Sequence, residues 1–137
     1  PSNPGLKATW HEFKGNKCSE IEKAPVNGTY PVEDVMIPKK VKGNIGLIIK
    51  GYFNAPQDDI YTFALLSDDG STLTIDSEQI VDNDGPHGPK EIVGQKALAK
   101  GYHPMELRYF DQNGGQLKLK VTGSDGKEIP FTHLYAH

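Results

Sequence analysis

A net charge of -3 spread over 137 residues, with 24% of them charged, excludes a nucleic-acid surface, which needs a basic excess. No run approaches the roughly 20 apolar residues that a spanning helix needs, so membrane insertion is excluded too. Fifteen glycines and ten prolines, placed between apolar runs, describe one turn-rich β domain large enough to bury a core.

The P-S-N-P start reads as a flexible segment over residues 1–5, at the head of a mature product or of a module cut from a longer chain. A first strand is predicted over Leu6 to Phe13. Residues 15–42 are polar and carry Pro25, Pro31 and Pro38, so they read as an irregular wrap around the sheets. That wrap holds the single cysteine, Cys18, which rules out an internal disulfide or a cysteine zinc cluster and reads as a small semi-buried residue.

Period-two alternation dominates the chain beyond residue 42. Leu47, Ile49, Gly51 and Phe53 share one face, with Ile48 and Tyr52 on the other. Tyr61, Phe63 and Leu65 oppose Thr62, Ala64 and Leu66, and Leu73 and Ile75 point inward. Between these two runs stands the turn S-D-D-G, with neighbouring carboxylates at Asp68 and Asp69. Residues 92–100, interrupted by Gly94, read as a strand or irregular segment rather than a helix. Met105, Leu107 and Tyr109 form the inward face of the next strand, and Leu117, Leu119 and Val121 alternate with lysines in another. A last strand is expected over Ile129 to Tyr135. Among the aromatics, Tyr52, Phe63 and Tyr109 are expected in the core rather than as stacking platforms, and Trp10 and Tyr102 suit either role, with core preferred. The sum is an all-β, antiparallel β-sandwich of one domain, residues 1–137.

Catalytic chemistry finds no support. There is no G-x-S-x-G elbow. The five histidines (His11, His87, His103, His133 and His137) show no shared-metal spacing, so zinc is not indicated. The oxygen-rich turns are better material. Adjacent carboxylates repel unless water or a cation compensates them, so D-D-G is either a hydrated β-turn or part of a hard-cation site. Calcium takes six to eight oxygens. Asp68 and Asp69 can supply two if the backbone between them is unusual, and a cis peptide would do this. Asp111, before the Gly114-Gly115 turn, can supply another. The turn D-N-D-G-P-H-G brings Asp82, Asn83, Asp84 and His87 together as groups suited to sugar hydroxyls, which both donate and accept.

Three blocks carry a resemblance: G-Y-F-N-A-P-Q-D-D-I-Y-T-F-A-L-L-S-D-D-G-S-T-L-T-I-D (51–76), I-V-D-N-D-G-P-H-G (80–88) and L-A-K-G-Y-H-P-M-E-L-R-Y-F-D-Q-N-G-G-Q-L-K-L (98–119). Together they resemble the lectin-like β-sandwich of anthrax protective antigen, the PA-fourteen domain, over roughly Leu6 to Tyr135. The resemblance implies calcium-dependent sugar binding of the flocculin kind, with a cis-linked Asp68–Asp69 pair and Asp111 as side-chain ligands. Carbonyls around Asn113 to Gly115 would complete the shell, which places Asn113 in the ligand-binding set. Two features depart from the flocculin pattern: Asp stands for Asn at position 111, and the cysteine-containing sugar loop is replaced by residues 82–88. The expected role is a non-catalytic carbohydrate-binding module, extracellular, periplasmic or at the cell surface, appended to a glycoside hydrolase or similar protein. Its partners would be a glycan and a neighbouring catalytic domain. The alternative is a structural domain that packs on that catalytic domain without holding sugar.

Overall fold

The computed structural model describes residues 5–112, 114–130 and 135–136. Among the described residues, ten strands fold into two antiparallel sheets. They are β1 (Leu6–Glu12), β2 (Val26–Val32), β3 (Asn44–Ala55), β4 (Asp59–Asp68), β5 (Ser71–Ile75), β6 (Glu78–Asn83), β7 (Lys90–Leu98), β8 (Gly101–Gln112), β9 (Gln116–Thr122) and β10 (Tyr135–Ala136). The large sheet runs β2-β1-β3-β8-β5-β6, with β10 also paired to β3, and the small sheet runs β7-β4-β9.

The alternation read from the sequence builds the core between them. Leu47, Ile49, Phe53, Leu73, Ile75, Leu107 and Tyr109 of the large sheet face Tyr61, Phe63, Leu65, Leu119 and Val121 of the small one, all buried. Phe53 meets both Tyr61 and Phe63 edge-to-face, with ring centroids 5.4 and 5.3 Å apart, the arrangement that ring quadrupoles favour. The segment around Gly94 is strand β7, which pairs with β4 along its length. Gly94 is required there, because a Cβ would stand 2.0 Å from the Ile80 carbonyl oxygen.

The expectation for residues 15–42 needs correction. This stretch contains a 3-10 helix, Cys18–Lys23, and the edge strand β2. The prolyl, polar character of β2 hides it in the sequence. Among the described residues it pairs with β1 alone, and Pro31 is tolerated because an edge strand need not donate on its free side. Cys18 and Ile21 of the 3-10 helix join Phe13, Ile48 and Phe110 in a second, small cluster on the outer face of the large sheet. Cys18 is fully buried there, and burial first, then the charge of Asp84, pushes its thiol pKa upward.

Of the strand expected over Ile129 to Tyr135, Ile129 and Pro130 are not in a strand, while Tyr135–Ala136 pairs with β3 and Glu128 is bridged to Thr122. Residues 131–134 and the start at 1–4 lie outside the described residues, as do His133 and His137. Tyr52 and Tyr102, expected in the core, are instead exposed, at 38% and 49%. Trp10 packs partly buried against the core. No helix among the described residues is long and apolar enough to cross a membrane.

Candidate functional site

β4 belongs to the small sheet and β5 to the large one, so S-D-D-G is a corner between the sheets rather than a hairpin tip. The peptide joining Asp68 to Asp69 is cis. Four contacts fasten this corner to the end of β8 and to the loop after β6. Gly70 O accepts from the Phe110 amide at 3.0 Å. The two oxygens of Asp69 accept the His87 amide (3.1 Å) and the Gln112 amide (3.2 Å). Asp68 O accepts the Tyr109 hydroxyl at 2.7 Å.

Two glycines make these approaches possible. A Cβ on Gly70 would lie 2.7 Å from both the amide nitrogen and the carbonyl oxygen of Gly85. A Cβ on Gly115 would lie 2.0 Å from Asp68 O and 2.5 Å from the Tyr109 hydroxyl. The corner, the 84–88 loop and the Gly114-Gly115 turn therefore meet at one edge of the sandwich.

Asp111 is at that edge, 2% exposed. Its Oδ1 accepts the Gly114 amide at 3.0 Å and its Oδ2 the Tyr109 hydroxyl at 2.7 Å. Burial holds its carboxyl above the usual carboxylate range, and the charges of Asp69 and Asp68 push in the same direction against those two hydrogen bonds. The Tyr109 phenol is raised as well, by burial first and then by its contact with Asp111. Three acids thus share one field, with two of them tied down by neutral donors.

Among the described residues, no three His, Cys, Asp or Glu side chains are gathered at ion-holding spacing. The donor chemistry nonetheless fits a hard cation. Asp68, Asp69 and Asp111 offer carboxylates, and the oxygens of Asp69 and Asp111 keep lone pairs beyond the hydrogen bond that each accepts. A hollow of about 340 Å³ opens next to Asp111, between Lys42, Gly43 and Ile45 on one side and Gly114 and Gly115 on the other.

The sugar-loop residues are placed unequally. His87 is at the edge through its amide bond to Asp69, and its ring is held by the carbonyls of Gly88 (2.7 Å) and Asn83 (2.8 Å). Asp82 is exposed and accepts the Asp84 amide at 3.2 Å. Asp84 is turned to structural use, accepting the Cys18 and Gly85 amides. Asn83 is 3% exposed, so it is not on offer to a ligand from solvent. Its amide nitrogen lies within bonding distance of the carbonyls of Leu65 and Lys90 and of the Ser67 hydroxyl. Asn113 lies outside the described residues.

Sequence reasoning missed the scaffold under the corner. Ser67 and Ser71 are fully buried and bonded to each other at 2.6 Å, with Asn83 beside them. The signal was available. Ser67 occupies an inward position in register with Tyr61, Phe63 and Leu65, where a polar residue must find a buried partner. The role of Tyr109 was missed for the opposite reason, since its ring is core and only its hydroxyl reaches the site.

Two opposed antiparallel sheets with an acidic edge at their corner define a lectin-like β-sandwich. The chain belongs to the PA14 domain family, whose model matches residues 2–131. A PA14 sugar-binding domain from an RTX adhesin superposes with a TM-score of 0.83 at 17% identity, covering 99% of each chain. The epithelial adhesin 9 A domain from Candida glabrata, in complex with Galb1-4GlcNAc, gives 0.71 at 13% identity, covering 96% of this chain and 88% of that one. A beta-glucosidase from Kluyveromyces marxianus, in complex with glucose, gives 0.67 at 17% identity, covering 88% of this chain and 16% of that one. No curated protein matches the sequence.

Proposed function

We propose that this chain is a non-catalytic, calcium-dependent sugar-binding module, working outside the cytoplasm as part of a glycan-processing or adhesive protein. The observation that carries the reading is the meeting of Asp68, Asp69 and the buried Asp111 at one edge, where the two corner acids oppose ionisation of the third. Calcium would be held by these three residues, with carbonyls of the 113–115 turn. Bound there, it would supply positive charge and open coordination positions for vicinal sugar hydroxyls. The hollow beside Asp111 falls within the size range of small-molecule clefts. Lys42 and Gly43 on its far wall, together with the loop carrying Asp82 and His87, would then frame the sugar. Likeness in fold to a sugar-binding domain and to an adhesin domain holding a disaccharide supports the sugar. Likeness to a segment of a glucosidase supports a parent that processes glycans.

The test is thermal. Added calcium should raise the melting temperature, Asp69→Ala should abolish that rise, and a glycan array probed in calcium should return hits that chelator removes. A melting curve indifferent to calcium removes the metal, and an array without hits removes the sugar.

A further inference from the structure

The outer face of the large sheet carries a groove that the acidic edge does not explain. Strand parity sets Lys50 and Tyr52 of β3, Thr74 of β5 and Pro104 and Glu106 of β8 on that face, with Lys7 of β1 alongside. The groove encloses about 550 Å³. One end of this face is covered by Phe13 and Ile21, which bury Ile48. Toward the other end, among the described residues, Tyr52 and Tyr102 stand exposed, Tyr52 opposite Pro104 across the β3–β8 pair and Tyr102 two residues from Pro104 on β8. Tyr52 lies seven residues along β3 from Ile45, the partner of Asp111, so the groove is roughly 23 Å from the acidic edge at about 3.3 Å per residue.

Its chemistry is specific in kind. Two lysines and one glutamate line it, a local excess of one positive charge on a chain of net charge -3. Glu106 is already engaged through its other oxygen with Arg108 Nε at 2.9 Å. Its pairing with Lys50, at 3.4 Å, leaves that lysine 66% exposed and weakly held. Lys7 has no ion partner among the described residues. Thr74 and Ser77 add hydroxyls that donate and accept, as sugar hydroxyls do. A tyrosine ring offers an apolar face with a polar tip, suited to the CH face of a pyranose. Lys7 and Lys50 are paired across β1 and β3, one same-face step along β3 from Tyr52, and two neighbouring cations beside a ring suit the carboxylate of a sugar stacked on that ring. They do not suit the dense phosphates of nucleic acid, which call for a broad basic surface.

We propose that this groove is a second, metal-independent saccharide site for acidic sugar chains, with Tyr52 as the stacking ring and Lys7 and Lys50 as the carboxylate partners. It does not depend on the calcium edge, and the experiment separates the two. The 137-residue chain is titrated with a galacturonic-acid hexamer in chelator, with amide chemical shifts recorded. Shifts are expected at residues 50–52, 74–77 and 105–106, with affinity at least tenfold weaker in Tyr52→Ala and in the Lys7→Ala/Lys50→Ala double variant. Asp69→Ala should bind as the parent chain does, and uncharged maltohexaose should bind at least tenfold more weakly. All four substitutions are at residues with exposed or partly exposed side chains; unchanged melting curves for the Tyr52 and lysine variants, and for Asp69→Ala a cooperative melt well above the titration temperature, would verify the fold. The proposal is overturned by absence of binding in chelator, by shifts confined to the 68–70 and 111–115 edge, by undiminished affinity in Tyr52→Ala, or by equal binding of the neutral hexamer.

Discussion

Asp69 Oδ1 accepts the His87 backbone amide at 3.1 Å, across 18 residues of chain and the width of the corner. Its other oxygen accepts the Gln112 amide, so one carboxylate joins the corner, the sugar-loop segment and the end of β8. Hydrogen bonds to a charged group contribute about 1.5–3 kcal/mol each when well shielded, and less where water competes. Asp69 is partly exposed. Asp69→Ala should therefore lower stability by about 1–3 kcal/mol in metal-free buffer and speed hydrogen exchange at the amides of His87 and Gln112. Exchange at those two positions no faster than in the parent chain would show that the acid does not organise the loop.

Tyr109 presents one hydroxyl proton to two acceptors, Asp68 O and Asp111 Oδ2, each at 2.7 Å. Tyr109→Phe keeps the ring in the core and takes away that proton. It leaves the buried carboxylate with only the Gly114 amide, and an under-satisfied buried acceptor costs about 1–3 kcal/mol. The expected loss, measured by urea unfolding in chelator, lies in that range. In calcium the loss should shrink, because a cation replaces the missing donor. A deficit that is the same with and without calcium would separate Tyr109 from the site.

Much of this architecture was readable from residue order, and what was not has physical causes. Period-two alternation fixes which side chains share a face, so Phe63, Leu65, Leu107 and Tyr109 were placed inward correctly. It does not say which sheet a strand joins, so residue order shows 68–70 as a turn between two strands and not that β4 and β5 lie in different sheets. It does not say what covers an outer face either. Ile48 and Tyr52 have the same parity, yet Ile48 is buried with Phe13 and Ile21 while Tyr52 is 38% exposed. The acids of the corner stood out because adjacent charges need a reason. Asn83 misled because an amide in a Gly-rich turn looks solvated, and only the fold reveals the three backbone and hydroxyl groups around it.

At the opposite end of the sandwich, Asp59 holds the G-S-D-G-K turn by accepting the Ser124 amide at 3.1 Å and the Ile60 amide at 2.8 Å. Its hydrogen bonds with Ser124, followed by that with Ile60, hold its carboxyl below the ordinary value of 3.8. A depressed carboxyl contributes stability that is fully present above the unfolded-state value and lost as pH falls through the lower folded-state value. The turn should therefore be held at neutral pH and released only in acid below 3.8. A carboxyl titration followed by NMR should give Asp59 a midpoint under that value, with Ser124 amide exchange accelerating in step. Asp59→Asn should flatten the acid limb, and a midpoint at or above the ordinary value would refute the assignment.

Gly115 is where backbone sterics and site chemistry meet. An added Cβ would stand 2.0 Å from Asp68 O, a backbone atom that cannot swing aside as a flexible side-chain end can. Either the 114–115 turn or the Asp68 corner must then move, and overpacking of this kind costs about 1–3 kcal/mol. The same displacement would disturb the turn at Asp111, whose Oδ1 accepts the Gly114 amide. Gly115→Ala should thus lower the urea midpoint and also reduce the calcium-induced rise in melting temperature. Gly88→Ala is the control, since nothing lies within 4 Å of the added methyl. A Gly115→Ala protein as stable and as calcium-responsive as Gly88→Ala would mean that the close approach of turn and corner has no part in the site.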